Sequence, residues 1–326
     1  MKHFDSVVTG GAGFIGSHLA ERLLKEGCRV TILDNFSNGS MENIKAISRN
    51  PFLKVVEEDL KKPARLFNIV KDCEIVFHLA ANPEVRVGET DPRIHFEENI
   101  KTTFNLVEAM RKAKTLGKIV FASTSAIYGE ASEIPTPENY GPLIPISTYG
   151  ASKLACEALI TSYAHTFNGR ALILRLANVV GLRSTHGVVA DFMKKIEANP
   201  RELSILGDGT QQKSYMYIDD CIDAIIHLTK LVSAGASKTE IFNVGSRDNI
   251  TVKEIARIVA KEMKRPSIVL RSTGGVDGGR GWKGDVKTMQ LSIGKLLRTG
   301  WKPMYSSRKA VESTVRALVE KDDSGK

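Results

Sequence analysis

The sequence predicts an α/β fold built on a doubly wound parallel sheet. Three observations carry the prediction. Apolar β-type runs alternate with segments of helical period over the first 176 or so residues. One run, Glu74-Ile75-Val76-Phe77-His78-Leu79, is apolar almost throughout, as a strand covered on both faces should be. The first run, Phe4 to Val8, feeds a glycine turn that opens straight into a segment with Ile15, Leu19 and Leu23 at helical spacing.

That turn reads Thr9-Gly10-Gly11-Ala12-Gly13-Phe14-Ile15-Gly16. Gly10 allows the tight turn, Gly13 lets backbone N–H groups approach a pyrophosphate, and Gly16 lets the helix pack close on the strand. A diphosphate would sit at the positive end of the helix, where the first N–H groups lack intrahelical partners. The spacing is Gly-x-x-Gly-x-x-Gly rather than Gly-x-Gly-x-x-Gly, so the triplet alone is also compatible with a plain turn. The next strand, Val30-Thr31-Ile32-Leu33, ends in Asp34. A carboxylate there accepts hydrogen bonds from both ribose hydroxyls and repels a 2′-phosphate. Dinucleotide binding follows, with NAD favoured over NADP.

A polar turn (Asn35 to Ser40) and a helix-like stretch lead to a third strand, Lys54 to Glu57, and then to Asp59. The strand through His78 runs into Ala80-Ala81-Asn82-Pro83, small residues and a breaker at a strand's C-terminal end, where open parallel sheets bind ligands. A long helix is expected from about Pro92 to Lys114, with Ile100, Phe104, Leu106, Val107 and Met110 on its apolar face. A fifth strand, Lys118 to Ala122, ends in Ser123-Thr124-Ser125. A loop bearing Pro and Gly (Tyr128 to Ser147) precedes a helix from about Thr148 to Phe167, and Ala171 to Leu176 is a sixth strand.

Beyond Gly181 the alternation gives way to short β pieces, loops and helices near 188–198, 219–232, 251–263 and 306–320. The expected organisation is a dinucleotide-binding domain over 1–180 carrying the catalytic residues, with 181–326 a smaller, interwoven α/β substrate lobe.

Composition narrows the function. With 42% apolar and 25% charged residues the chain has an ordinary globular balance, and no apolar run is long enough to span a bilayer. No leader segment is visible before the first strand, and the four cysteines (Cys28, Cys73, Cys156, Cys221) are dispersed, with neither zinc-site nor disulfide spacing. No metal is expected, and a reduced cytoplasm is the natural compartment. The formal charge of +9 is scattered over helix surfaces without interleaved aromatics, which argues against nucleic acid and for attraction of an anionic small molecule.

Tyr149 and Lys153 are four apart near a helix start, so both side chains fall on one face. A phenol of ordinary pKa about 10 is a poor base at neutral pH. A neighbouring ammonium, a cofactor's positive charge and a helix N-terminus all favour the phenolate, which then accepts a hydroxyl proton. Thr124 adds a hydroxyl that could bridge substrate and tyrosine. Each feature alone has a bland reading, as a surface aromatic, a solvated lysine or a turn cap; downstream of a dinucleotide fingerprint they favour catalysis.

At this point the sequence resembles the extended short-chain dehydrogenase/reductases, and within them the nucleotide-sugar 4-epimerases. The resemblance covers nearly the whole chain. It rests on the glycine turn, Leu33-Asp34-Asn35, Glu58-Asp59-Leu60, His78-Leu-Ala-Ala81, Asn99, Ser123-Thr-Ser-Ala-Ile-Tyr-Gly129, Tyr149-Gly-Ala-Ser-Lys153, Arg175-Leu-Ala-Asn178, Gly207-Asp-Gly209, Tyr217-Ile-Asp-Asp220, Phe242-Asn-Val-Gly245 and Gly300-Trp-Lys-Pro303. It implies NAD held by Gly10, Gly13, Phe14, Ile15, Gly16, Asp34, Asn35, Asp59, Leu60, Ala80, Ala81, Asn82, Asn99, Ser123, Tyr149, Lys153 and Ala177. It implies a nucleotide sugar held by Ser123, Thr124, Tyr149, Asn178, Val188, Lys213, Arg280 and Met289. Tyr149 would be the base, Lys153 its electrostatic partner and Thr124 the relay, in epimerisation at C4 of a UDP-hexose (glucose/galactose foremost) through a transient 4-keto sugar, with NAD regenerated each cycle. A homodimer packed through the segments near 92–114 and 149–167 is also implied.

The substrate lobe departs from the family's pattern. Gln211-Gln212-Lys213-Ser214-Tyr215 carries lysine where the family commonly has a diphosphate-clamping arginine, and lysine keeps the charge but loses the two-pronged geometry. A second phosphate arginine is replaced within Trp282-Lys283-Gly284-Asp285-Val286, so Arg280 or Lys283 would stand in. Met289 leaves plain and N-acetylated hexoses both open. Glu84 and Arg86 follow the cofactor loop, either as solvated side chains or as contacts to sugar hydroxyls. Related 4,6-dehydratases and UDP-glucuronate decarboxylases place acidic residues after the threonine; Ser125 and Ala126 cannot do carboxylate work. A uronate 4-epimerase stays open, since Arg86 or Arg183 could pair a C6 carboxylate. A non-catalytic NAD-binding protein would tend to have lost the tyrosine or the lysine.

Overall fold

The computed structural model describes residues 4–115, 117–232 and 237–324. The chain divides into two compact units. The first takes residues 1–124, 151–175 and 225–242; the second takes 125–150, 176–224 and 243–326. The stretch 225–242 belongs to the sheet-bearing unit although it lies in the half of the sequence expected to form the substrate lobe.

In the first unit the strands expected from sequence are present: β1 (Asp5–Thr9), β2 (Arg29–Asp34), β3 (Leu53–Glu57), β4 (Ile75–His78), β5 (Ile119–Thr124) and β6 (Ala171–Leu176). The sheet has a seventh strand, Thr239–Val244, in the order Thr239–Val244, β6, β5, β4, β1, β2, β3. β1 pairs in parallel with β2 and β4, β2 with β3, and β4 with β5. Ala171 N–H bonds the Lys238 carbonyl and Ala177 N–H the Val244 carbonyl, so the seventh strand runs with β6. The chain order reverses direction across the sheet between β1 and β4, the place where doubly wound sheets bind ligands at their C-terminal ends.

Position in the sheet explains each strand's composition. β4 is buried at every residue and β6 likewise, as central strands covered on both faces must be. β3, at the edge, leaves Lys54, Val55 and Glu57 exposed, and charge there discourages pairing with another chain. Leu33, Leu66, Val76, Leu106, Val107, Met110, Phe121, Ile160 and Ile173 pack into one core cluster, each side chain worth about 1.5–3 kcal/mol when removed from water.

The helix expected over about 92–114 is not one regular helix. It runs as Arg93–His95, a π-helical segment Phe96–Ile100, and Lys101–Lys112. Leu106, Val107 and Met110 are buried as expected, but Phe104 is 45% exposed. The π segment widens one turn where Asn99 goes inward, and such widened turns gather at functional sites.

The second unit is built from short pieces: Asn178–Val180 with Tyr215–Tyr217, Glu202–Ile205 with Val269–Ser272, and Gln212–Lys213 between Ile250–Thr251 and Thr288–Met289. Helices Val188–Ala198, Val252–Glu262 and Ser307–Ser324 supply its core. Helix Val252–Glu262 starts from a reciprocal cap, in which the Thr251 hydroxyl accepts from Glu254 N–H and the Glu254 carboxylate accepts from Thr251 N–H. All four cysteines are reduced and buried. Among the described residues no helix is long and apolar enough to cross a membrane, and no cluster of His, Cys, Asp or Glu could hold a metal ion.

Candidate active site

The glycine turn follows β1 and enters α1 (Phe14–Lys25) through Gly13, which is extended and offers no capping side chain, so the first N–H groups of α1 are left for a ligand. Gly10 has φ +67°, and a Cβ there would lie 2.8 Å from the Ala80 amide nitrogen. A Cβ on Gly16 would lie 2.1 Å from the Gly10 carbonyl oxygen, so only glycine lets the helix approach the turn. Phe14 and Ile15 form the first turn of α1 above it.

Asp34 ends β2 and is 7% exposed. Its Oδ2 accepts from Ala12 N–H at 2.9 Å and its Oδ1 from Phe36 N–H at 2.8 Å. Burial pushes its carboxyl pKa up, and those two N–H groups pull it back. An ionised carboxylate has about four acceptor positions. Two are used, so a ribose diol can still be bound. A Cβ on Gly39 would approach Asp34 Oδ1 to 2.9 Å, which keeps that flank open. Glycine cradle and buried acceptor therefore fit a dinucleotide with an unsubstituted ribose. Asn35 Oδ1 accepts from the Ser37 amide and hydroxyl, Asp59 Oδ1 from Lys61 N–H, and the Leu60 carbonyl from Asn105 Nδ2.

One buried network steadies the loop after β4. His78 Nδ1 lies 2.8 Å from Thr9 Oγ1, and its Nε2 lies 2.9 Å from Thr103 Oγ1. Thr103 donates its one proton to the Asn99 carbonyl at 2.7 Å, closer than Cys156 Sγ at 3.2 Å. Nε2 must therefore carry the imidazole proton, and Nδ1 accepts from Thr9. Burial pushes His78 down to about 3, which keeps it neutral. Thr9 Oγ1 in turn accepts from Ala80 N–H at 3.2 Å. Asn99 Oδ1 accepts from Asn82 N–H and its Nδ2 donates to Ser152 Oγ, both at 2.8 Å. Ala80, Asn82 and Asn99 are thus tied to the sheet and to the helix Thr148–Thr166, with Ala81 between the first two.

That helix carries Tyr149 in its first turn and Lys153 one turn on; Ser123 and Thr124 close β5. Lys153 is 3% exposed, with Nζ 4.1 Å from the centre of the Phe121 ring. Burial pushes its ammonium pKa down to about 8, so it remains a cation at neutral pH. Ser123 Oγ donates to Glu157 Oε1 at 2.5 Å, and Arg175 holds the same carboxylate through Nε at 3.1 Å and Nη2 at 2.8 Å.

The remaining expected residues lie in the second unit. Ala177 is buried beside Val244, Asn178 Nδ2 donates to the Ser214 carbonyl at 3.3 Å, and Val188 opens its helix after Gly187 at φ +88°. Lys213 forms a 2.5 Å ion pair with the buried Asp285 and sits 5.4 Å from the Trp282 ring centre. Arg280 pairs with Glu130 and donates to the Asp277 carbonyl. Met289 pairs with Lys213 in a short parallel bridge and is 9% exposed. Both stand-in cations thus already hold an acidic partner. Arg86 pairs with Glu84 at 3.2 Å. Sequence reasoning did not single out Glu157, Thr103 and Asp285, the partners that hold Ser123 and Arg175, His78, and Lys213. A signal existed for the first: Arg175 is a lone cation inside an apolar strand, which demands a buried carboxylate.

A family model described as the NAD dependent epimerase/dehydratase family matches residues 6–245. A putative UDP-glucose 4-epimerase of Methanocaldococcus jannaschii is 34% identical, over 95% of this chain and 96% of that one. A crystal structure of UDP-galactose 4-epimerase is 41% identical, with a TM-score of 0.86 over 97% of this chain and 99% of that one. A dTDP-glucose 4,6-dehydratase from Streptomyces venezuelae, solved with NAD bound, is 25% identical with a TM-score of 0.88 over 98% of both chains. Other similar proteins are named UDP-glucuronic acid decarboxylase and UDP-glucuronic acid 4-epimerase. The glycine cradle, the buried Asp34 and these likenesses agree: the chain belongs to the NAD dependent epimerase/dehydratase family.

Proposed function

We propose that the chain catalyses reversible epimerisation at C4 of a UDP-hexose, UDP-glucose and UDP-galactose foremost, with Tyr149 as base. One observation supports this reading above the others: the helix Thr148–Thr166 carries Tyr149 one turn before a buried, cationic Lys153, while the positions after Thr124 are Ser125 and Ala126, with no carboxylate for elimination or decarboxylation.

Bound NAD supplies a hydride acceptor and then a hydride donor at C4. Tyr149 removes the proton of the sugar 4-hydroxyl, and the charge of Lys153 stabilises the phenolate. Thr124 relays between the hydroxyl and the phenol. The 4-keto sugar turns over while held by its nucleotide, and Tyr149 returns the proton on the other face. Asn178, Lys213 and Arg280 hold the diphosphate sugar, and Asp34 selects NAD by repelling a 2′-phosphate.

The test incubates purified protein, without added cofactor, with UDP-galactose, UDP-N-acetylgalactosamine and UDP-glucuronate in turn, with products separated by chromatography. The expected result is the 4-epimer of UDP-galactose without added NAD, and a Tyr149→Phe variant that keeps bound NAD but loses at least about 100-fold in turnover. Exclusive conversion of UDP-glucuronate would reassign the sugar. Full turnover by Tyr149→Phe would remove the base.

A further inference from the structure

Glu157 lies four residues after Lys153 on the same helix face, a spacing at which lysine and glutamate ordinarily pair. Such a pair would remove from Tyr149 the positive charge that the proposed chemistry requires. It does not form: among the described residues Lys153 has no ion pair, and Glu157 is held in a two-pronged grip by Arg175 on β6. Glu157 is 4% exposed and Arg175 3% exposed, so neither charge is relaxed by water.

We infer that Arg175 is a positioning residue of the acid–base site, one that sequesters the Glu157 carboxylate and so leaves the charge of Lys153 to Tyr149. The same grip fixes a second group. Ser123 Oγ spends its one proton on Glu157, so toward a ligand it only accepts. Donation at the end of β5 then falls to Thr124. The groups surrounding the Lys153 ammonium are consistent with this division. Cys156 beside it is a thiol whose pKa burial raises, and His78 on β4 is neutral, which leaves Glu157, a carboxylate that raises the Lys153 pKa through space without pairing with it, as the group able to compete.

The inference rests on Tyr149 and Lys153 being the acid–base pair, so its test reads the tyrosine directly. The NAD-loaded protein is titrated by tyrosinate ultraviolet absorption, each form against the same form carrying Tyr149→Phe, which isolates the Tyr149 signal. The pH–rate profile is measured in parallel. In Arg175→Met, Glu157 is released to Lys153, and the Tyr149 midpoint and the rising limb of the profile move up by about one pH unit or more. At neutral pH that is about a tenfold loss of rate. Adding Glu157→Gln removes the competing carboxylate and brings both back to the wild-type position. A merely structural role predicts lower activity with an unmoved midpoint, and that outcome overturns the inference. If Arg175→Met does not fold, Arg175→Gln deletes the same charge while keeping an amide donor for Glu157. A shift in the titration together with absent turnover on every UDP-sugar sustains the inference and refutes the proposed substrate; full turnover by Tyr149→Phe refutes both.

Discussion

Lys153→Met should make the fold more stable at neutral pH while abolishing turnover. The ammonium is buried, and burial lowers its pKa from the usual 10.5 to about 8. At about 1.4 kcal/mol per pH unit, holding it charged costs the fold about 3 kcal/mol, and its position over Phe121 returns about 1 kcal/mol. The sign is set by the direction of the displacement. A lysine whose folded pKa lies below its unfolded value leaves the unfolded chain binding more protons between the two values. The destabilisation is therefore complete below about pH 8 and fades as pH rises toward 10.5. Between pH 7 and 10 the lysine form should gain about 2 kcal/mol on the methionine form. With an unfolding entropy of about 2.1 cal/mol/K per residue over 326 residues, that is about 3 °C in Tm. The assay is thermal unfolding of both forms stripped of NAD across that range, each carrying Tyr149→Phe, so that neither cofactor affinity nor the phenol contributes. Lys118, also lowered to about 8 by burial, is common to both and cancels. Parallel Tm curves would refute the claim that an incompletely compensated buried cation is stored beneath the site.

Gly16→Ala places a methyl group 2.1 Å from the Gly10 carbonyl, which forces α1 and the turn apart. We expect a loss of about 1–3 kcal/mol in stability and of co-purifying NAD, read by thermal unfolding and by the absorbance of released nucleotide. Phe104 and Phe167 are 45% and 44% exposed on the two helices expected to form a dimer face, and each contacts Tyr163. Phe104→Arg should convert a dimer into a monomer by light scattering at micromolar concentration; a wild-type monomer removes the expectation.

The sheet was legible where one strand meets one period. β1, β2, β4, β5 and β6 each carry an apolar run long enough to name, because a strand buried on both faces has no polar alternation to confuse it. The strand Thr239–Val244 escaped because it is separated from β6 by more than sixty residues that mostly build the other unit. Nothing in Thr-Glu-Ile-Phe-Asn-Val says which edge it will join. The π segment escaped for a different reason. A single widened turn leaves the apolar spacing of Leu106, Val107 and Met110 intact, and the only trace is an asparagine on an inward position.

The candidate site divides along the same line. The glycine turn and the buried Asp34 were legible because their chemistry is local: a turn needs its φ, a helix needs its close approach, and a carboxylate closing the second strand is visible in the sequence itself. Ion-pair partners were not, since they are set by which side chains meet across the fold. Lys213 and Arg280 each carry the charge a diphosphate needs, yet each already holds a carboxylate, Asp285 and Glu130. In Arg175 and Lys153 the structure does the reverse, spending one cation on Glu157 so that the other stays available. A charge in this sequence therefore states a capacity, and only the partner found for it by the fold states a role. Lys213 and Arg280 can grip a diphosphate only by sharing or leaving their carboxylates. Asp285→Asn should accordingly lower KM for the sugar nucleotide with little change in kcat, and a raised KM would mean that the aspartate itself binds the ligand.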